Sequence, residues 1–191
     1  MSTLTVQNIQ GSSSSSNTIN VASGHKISGA AGSIIAPGQV IQVVSSTLTS
    51  TASGAGTSYA DSGLAATITP SSTSSKIHVS GYITLGTSTY FVYCHLCRGN
   101  SAIFQGDGAS NRPTVTVANT QHMGVNDIYN FEAVPFHYLD SPNTTSATTY
   151  KIRTRHYDTG TWYVNRTHND RDYAGFEPRG TSVMTLMEIA Q

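Results

Sequence analysis

Charge is what this sequence has least of. Asp, Glu, Lys and Arg make up 10% of its 191 residues, where an average soluble domain carries roughly 25%. The ten acidic and ten basic groups cancel to a formal net charge of zero. A nucleic-acid binder needs a basic surplus to displace counterions from phosphates, so no nucleic-acid partner is expected. Long apolar runs are missing too. Nothing approaches the roughly 18 residues of a membrane-spanning helix, and no membrane insertion is expected. The opening MSTLTVQNIQGSSSSS has neither the basic nor the apolar region of a secretory signal. The sequons at Asn143 and Asn165 then read as chance matches in a chain rich in Ser and Thr.

Cysteine is nearly absent. Cys94 and Cys97 form a C-x-x-C, the spacing of a redox pair or of half a zinc site. Their setting, TYFVYCHLCRGN, is aromatic and β-branched, as in a strand rather than a helix start. On a strand, residues three apart point to opposite faces with Cα atoms roughly 10 Å apart. That is beyond the about 7 Å that a disulfide spans, and a tetrahedral zinc site would need a second pair. Two ordinary buried or half-buried thiols are expected.

Polarity comes instead from 26 Ser and 26 Thr. Ten Tyr, five Phe and alternating Val and Ile set the chain apart from a disordered one. Zero net charge and few charges leave it poorly defended against self-association. Residues 1–36 hold the serine run Ser12 to Ser16, four glycines and one charged residue, Lys26. Their apolar pulses (Leu4, Val6, Ile9, Ile19, Val21, Ile34, Ile35) cannot bury a core. They read as an N-terminal arm that is a tether or pairs with another chain. Pro37-Gly38 marks the boundary to a head domain at 37–191.

In the head, alternating segments recur near 39–49, 63–69, 76–85, 89–98, 114–118, 128–138, 147–157, 161–166 and 181–189. No stretch of about a dozen residues shows a helical period. Strands separated by Gly, Ser, Asn and Pro turns predict an all-β, jelly-roll-like antiparallel β-sandwich with an extended N-terminal arm. The segment DSGLAATITPSSTSSKIHVSGYI reads as a hairpin that sets Leu64, Ala66 and Ile68 against Ile77, Val79 and Ile83. HYDTGTWYVNR reads as another, turning at Asp158-Thr159-Gly160. Two strands are apolar on both faces. In one, Tyr90, Val92, Cys94 and Leu96 oppose Phe91 and Tyr93; in the other, Val183, Met187 and Ile189 oppose Met184 and Leu186. Such strands must be covered on both sides. Phe91, Tyr93, Met184 and Leu186 are therefore the expected oligomer interface of a homo-oligomer.

Catalytic signals are sparse. There is no G-x-S-x-G elbow and no phosphate-cradling glycine loop before a helix. Glu132, Glu177 and Glu188 are the only glutamates, and Glu132 reads as a cross-strand partner of Arg153 or Arg155. No catalytic residue and no cofactor are expected. The one candidate metal set is His168, Asp170 and Asp172, a nitrogen and two carboxylates at alternate positions of THNDRDY. The competing reading is a loop whose aspartates pair with Arg166, Arg171 or Arg179. Residues 151–179 hold ten of the twenty charged side chains, interleaved with aromatics. Trp, Tyr and Arg together are the composition of contact surfaces, saccharide-stacking ones included. Tyr157, Trp162, Tyr163, Tyr173 and Arg171 are the candidate contact residues, and the competing assignment puts Trp162 and Tyr150 in the core.

Residues 32–191 carry a likeness. GSIIAPGQVIQVVSSTLT, SYADSGLAATITPSSTSSKIHVSGYITLG, CRGNSAIFQGD and the closing SVMTLMEIAQ resemble a family of tailed-bacteriophage structural proteins of marine and cyanobacterial phages, known as tail-fibre or virion structural proteins. His78 departs from the aliphatic or small residue expected after Ser-Lys-Ile. The resemblance implies a β-sandwich head in a homotrimer, no catalytic residues, and a place in the virion after assembly in the host cytoplasm. It implies a tail-fibre or spike subunit that contacts a host glycan or protein, with the arm joined to other virion proteins. A capsid decoration or head-fibre protein is the alternative, and a polysaccharide-degrading spike domain a third.

Overall fold

The computed structural model describes residues 9, 11, 19–29, 34–120 and 129–191. Leu4, Val6, the Ser12 to Ser16 run and the expected strand start at residue 128 lie outside the described residues. The chain divides into two units, Met1–Ile34 and Ile35–Gln191. In the first, residues 19–29 are exposed throughout and contain one turn. There the His25 N–H donates to the Ala22 carbonyl at 3.0 Å.

Among the described residues eleven strands build the second unit and there is no helix. They are β1 (Val40–Leu48), β2 (Ala52–Ala55), β3 (Ala60–Ile68), β4 (Lys76–Thr87), β5 (Phe91–Arg98), β6 (Ser101–Phe104), β7 (Val117–Thr120), β8 (Glu132–Asp140), β9 (Thr148–His156), β10 (Thr161–Val164) and β11 (Ser182–Ile189). The segments expected from alternation overlap nine of them. β2 and β6, four residues each, are too short to display a period of two.

One sheet runs β1-β11-β4-β10-β2 with β8 on the far side of β4; the other runs β3-β9-β5-β6 with β7 also on β5. β10 and β11 are two halves of one strand line. Val164 faces Leu85 and Val183 faces Tyr82. Between them the Asn165 N–H donates to the Thr84 carbonyl at 2.9 Å and the Thr84 N–H to Ser182 Oγ at 3.0 Å. Residues 166–181 leave this line as an excursion and rejoin it. β6 and β7 are related in the same way along β5, with 105–116 leaving between them. With each broken line counted once, the first sheet is β1/β2, β10/β11, β4, β8 and the second is β3, β9, β5, β6/β7. Apart from β5 and β6/β7, which pair in one sheet, successive strands cross between two four-stranded antiparallel sheets, which is the jelly roll.

This topology overturns both expected hairpins. β3 pairs with β9, not with β4, and β4 lies in the other sheet between β11 and β8. Leu64, Ala66 and Ile68 still meet Ile77, Val79 and Ile83 in the core, but face to face across the sandwich. Alternation reports which side chains turn inward; it cannot tell a partner in the same sheet from one in the facing sheet. Likewise β9 and β10 belong to different sheets. Their connection is a corner fixed by His156, whose buried ring contacts Asp158 Oδ1 at 2.7 Å and the Thr89 carbonyl at 2.7 Å. Glu132 is exposed on β8, opposite Leu85 of β4, so it does not partner Arg153. That arginine pairs instead with Asp61 at 3.2 Å.

The hydroxyl-rich turn between β3 and β4 wraps a buried acid. Glu188 on β11 is 1% exposed. Its Oε1 accepts from the Ser71 N–H at 2.7 Å and the Ser71 hydroxyl at 2.6 Å. Burial alone would push the Glu188 carboxyl up, yet donors from Ser71, Ser72 and Ser75 together hold it below its ordinary value.

Both cysteines are buried and free. Burial pushes the Cys94 thiol far up, away from thiolate chemistry.

Candidate functional site

The excursion at 166–181 hangs from a joint built on Asn165. Asn165 adopts φ 59°, which its short amide tolerates better than most side chains. The side chain is fully buried. It donates to the carbonyls of Leu48 and Ser50 at 2.8 and 3.0 Å, and accepts from Ser182 Oγ at 2.7 Å. One residue thus fills the gap between β1 and β2 and closes the break between β10 and β11. The Gly180 N–H donates to the Asn165 carbonyl at 3.1 Å, and Arg166 bridges Arg179 across the base.

Outside this joint the excursion is ordered by charge. Asp170 takes a bidentate pair from Arg179, at 2.9 and 2.8 Å, which holds its carboxyl below the ordinary value. Glu177 accepts from the Thr167 hydroxyl and from Arg171 Nε, the latter at 2.9 Å. These donors, Thr167 first, depress its carboxyl as well. Arg171 also donates to Tyr129 Oη at 3.1 Å. The guanidinium therefore ties the excursion to the segment before β8.

Three aromatic rings gather around that tie. Tyr129, Tyr173 and Phe176 are 41%, 56% and 58% exposed. Phe176 lies 5.5 Å from each of the other two rings. With Arg171 and Asp172 they line an open groove of about 420 Å³. Large exposed aromatics held together by a fixed cation are unusual on a surface that has no partner.

The expected contact residues separate into three places. Tyr173 and Arg171 sit in the groove. Tyr157 belongs to another cluster on the outer face of the second sheet, edge-on to Tyr90 at 5.4 Å, where a hydrogen bond to Asp158 pushes its hydroxyl up to about 12. Phe91 and Tyr93 are half-buried on that same face, their rings 6.0 Å apart, with Arg155 stacked 4.7 Å over Tyr93. Trp162 and Tyr163 are corrected: both are buried, at 2% and 8%. The Trp162 indole lies against the backbone of Gly54 on β2, where any Cβ would collide with the ring. Tyr163 is capped by Arg166 at 4.2 Å. Phe176 lies in the aromatic-rich 151–179 stretch but carries no sequence signal of its own. Tyr129 had no signal at all, since it reaches the groove from a distant part of the chain.

Met184 and Leu186 are corrected too. Both are fully buried in the core, and it is Val183, Met187 and Ile189 that face outward, half-buried. With apolar residues on both faces of β11, its composition could not decide the parity. The buried Ser182 and Glu188 share this inner face with them. The metal set does not assemble either. Asp170 is engaged by Arg179, the His168 ring packs 5.4 Å from Tyr163, and among the described residues no three His, Cys, Asp or Glu side chains are placed to hold a metal ion. No helix among the described residues is long and apolar enough to cross a membrane.

No family model matches the chain, and no curated protein matches it. Among solved structures it is similar to infectious bursal disease virus, Gt strain, at 13% identity and a TM-score of 0.34, covering 87% of this chain and 43% of that one. The Gx strain gives 15% identity and 0.36 over the same shares, 87% and 43%. T=1 particles derived from infectious bursal virus give 14% and 0.35, with 87% of this chain and 41% of that one. The chain thus spans less than half the length of these structures.

Proposed function

We propose that the protein is a virion structural subunit, a jelly-roll block of a bacteriophage tail fibre or spike, that assembles as a homotrimer and meets the host surface through the 166–181 excursion. The observation that carries this reading is the groove itself. A low-charge, hydroxyl-covered frame devotes its densest charge network to holding Tyr129, Tyr173, Phe176 and Arg171 out in solvent. The rings offer faces for the apolar side of a sugar, and Asp172 and Arg171 offer hydrogen bonds to its hydroxyls. Single sites of this kind are weak, and three on one rigid assembly gain avidity by raising the effective concentration of the second contact. No catalytic role is assigned to any residue.

The test is adsorption of particles carrying Tyr173→Ala and Phe176→Ala to host cells. Loss of adsorption with normal particle yield supports the reading. Unchanged adsorption moves the protein to the alternative, a capsid decoration or head-fibre subunit, which labelled antibody on intact particles would locate on the head rather than the tail. Release of reducing sugar from host polysaccharide would favour the third reading, a degrading spike domain.

A further inference from the structure

Sheet edges expose unpaired backbone groups and are normally blunted by shortness, proline, charge or bulges. Most edges here follow that rule. β2, β6 and β7 have four residues each. β8 carries Pro135 at its centre. β3 is broken by a register shift between Asp61 and Ala65, with Gly63 at φ 90°, and Asp61 there pairs with Lys151 and Arg153. β1 is different. It is nine residues long, VIQVVSSTL, without charge or proline, and from Gln42 to Leu48 it pairs with β11 in unbroken register. Among the described residues no strand lies beside its other edge.

A second observation says what belongs there. Of the aliphatic side chains that are large and exposed among the described residues, Ile9, Ile19, Val21, Ile27, Ile34 and Ile35 lie before β1, Val40 and Val43 lie on it, and only Leu139 lies elsewhere. From Met1 to Ala60 the only Lys, Arg, Asp or Glu is Lys26. Donor and acceptor are matched: among the described residues Ile19-Asn20-Val21 is an uncharged β-branched alternation in no strand, and β1 is an uncharged strand at the end of its sheet. Resting on the homo-oligomer reading above, we propose that the Ile19–Val21 segment of one copy adds as a strand to the β1 edge of another, so that subunits are joined by strand exchange.

The experiment uses the full chain. Because both native thiols are buried, a cysteine placed on the surface reacts alone. Ile19→Cys chains are mixed with tagged chains carrying a single cysteine at each position from Gln42 to Thr47 and oxidised. Strand addition predicts inter-chain disulfides at β1 positions of one parity only, because neighbouring side chains point to opposite faces. No cross-links, or cross-links at both parities alike, would overturn it. Light scattering on Ile19→Asp/Val21→Asp and on Val40→Lys/Val43→Lys completes the test. All four side chains are exposed, so the fold is spared, and both variants should fall to monomers. An oligomer that survives the arm variant refutes strand exchange while leaving the homo-oligomer standing. A wild-type chain that is already monomeric refutes both.

Discussion

The β1 edge and the 166–181 excursion both expose apolar side chains, yet they are built from opposite materials. The edge is aliphatic, β-branched and uncharged, with its hydrogen-bonding capacity in the backbone. The excursion is aromatic and ion-paired, with its capacity in side chains. Backbone edges recognise any chain that is extended and ask little of its side chains, which suits copies of one protein. Rings and fixed guanidinium groups discriminate chemistry, which suits a foreign surface. Low overall charge is thus not evenly spread: it is withheld from the edge proposed for assembly and concentrated in the excursion proposed for recognition.

The largest effect that would sharpen this contrast concerns neither surface. Leu186→Ala should cost about 2–5 kcal/mol of head stability in urea unfolding, the range for truncating a buried leucine, with the oligomeric state in light scattering unchanged. Loss of the oligomer with head stability unchanged would return Leu186 to an interface. Next in size is Asn165→Ala. It strips the joint of its amide and leaves the buried Ser182 hydroxyl without its acceptor and the Leu48 and Ser50 carbonyls without a donor, at about 1–3 kcal/mol for a buried unsatisfied group. Stability and adsorption should fall together, and a loss of one alone would mean that the joint does not couple frame and excursion. The Tyr173→Ala/Phe176→Ala pair should lower host binding by about tenfold per site, equivalent to about 1.4 kcal/mol, with the melting temperature unmoved; a lowered melting temperature would make the rings part of the frame.

Acid separates the regions further. Glu188 has a folded value below its unfolded one, so its contribution to stability is complete above the ordinary carboxylate value of 4.5 and is lost as pH falls through the lower folded value. A Glu188→Gln chain should show a flatter loss of stability in that acidic window, and an identical profile would show that the serine turn does not favour the carboxylate. The smallest effect is that of Arg179→Ala. Its pair with Asp170 is exposed and screened by salt, so the change should be visible, if at all, only at low ionic strength.

The frame was largely legible in the sequence because inward-facing residues alternate along β3, along β4 from Ile77 to Ile83 with Gly81 in one inward place, and along β5 as far as Leu96. Sheet membership was not legible, since Leu64 and Ile77 look the same whether paired along one sheet or packed across two. The parity of β11 was hidden by Glu188, a buried acid whose serine donors lie more than a hundred residues away in sequence. For the groove, local composition pointed to the right stretch but could not separate Tyr173, on the excursion, from Trp162, on the strand that carries it. Trp162 is core because Gly54 leaves room for its ring. Tyr129 was out of reach of any local pattern, being joined to Arg171 only by the fold.

Because Asn165 and Ser182 continue a single strand line, the chain between them can change in length or sequence without shifting the register of any strand. Descendants of this protein could exchange that segment wholesale and keep the same building block. Diversity in what is recognised would then accumulate at one hinge point, while the frame that must fit its neighbours stays constant.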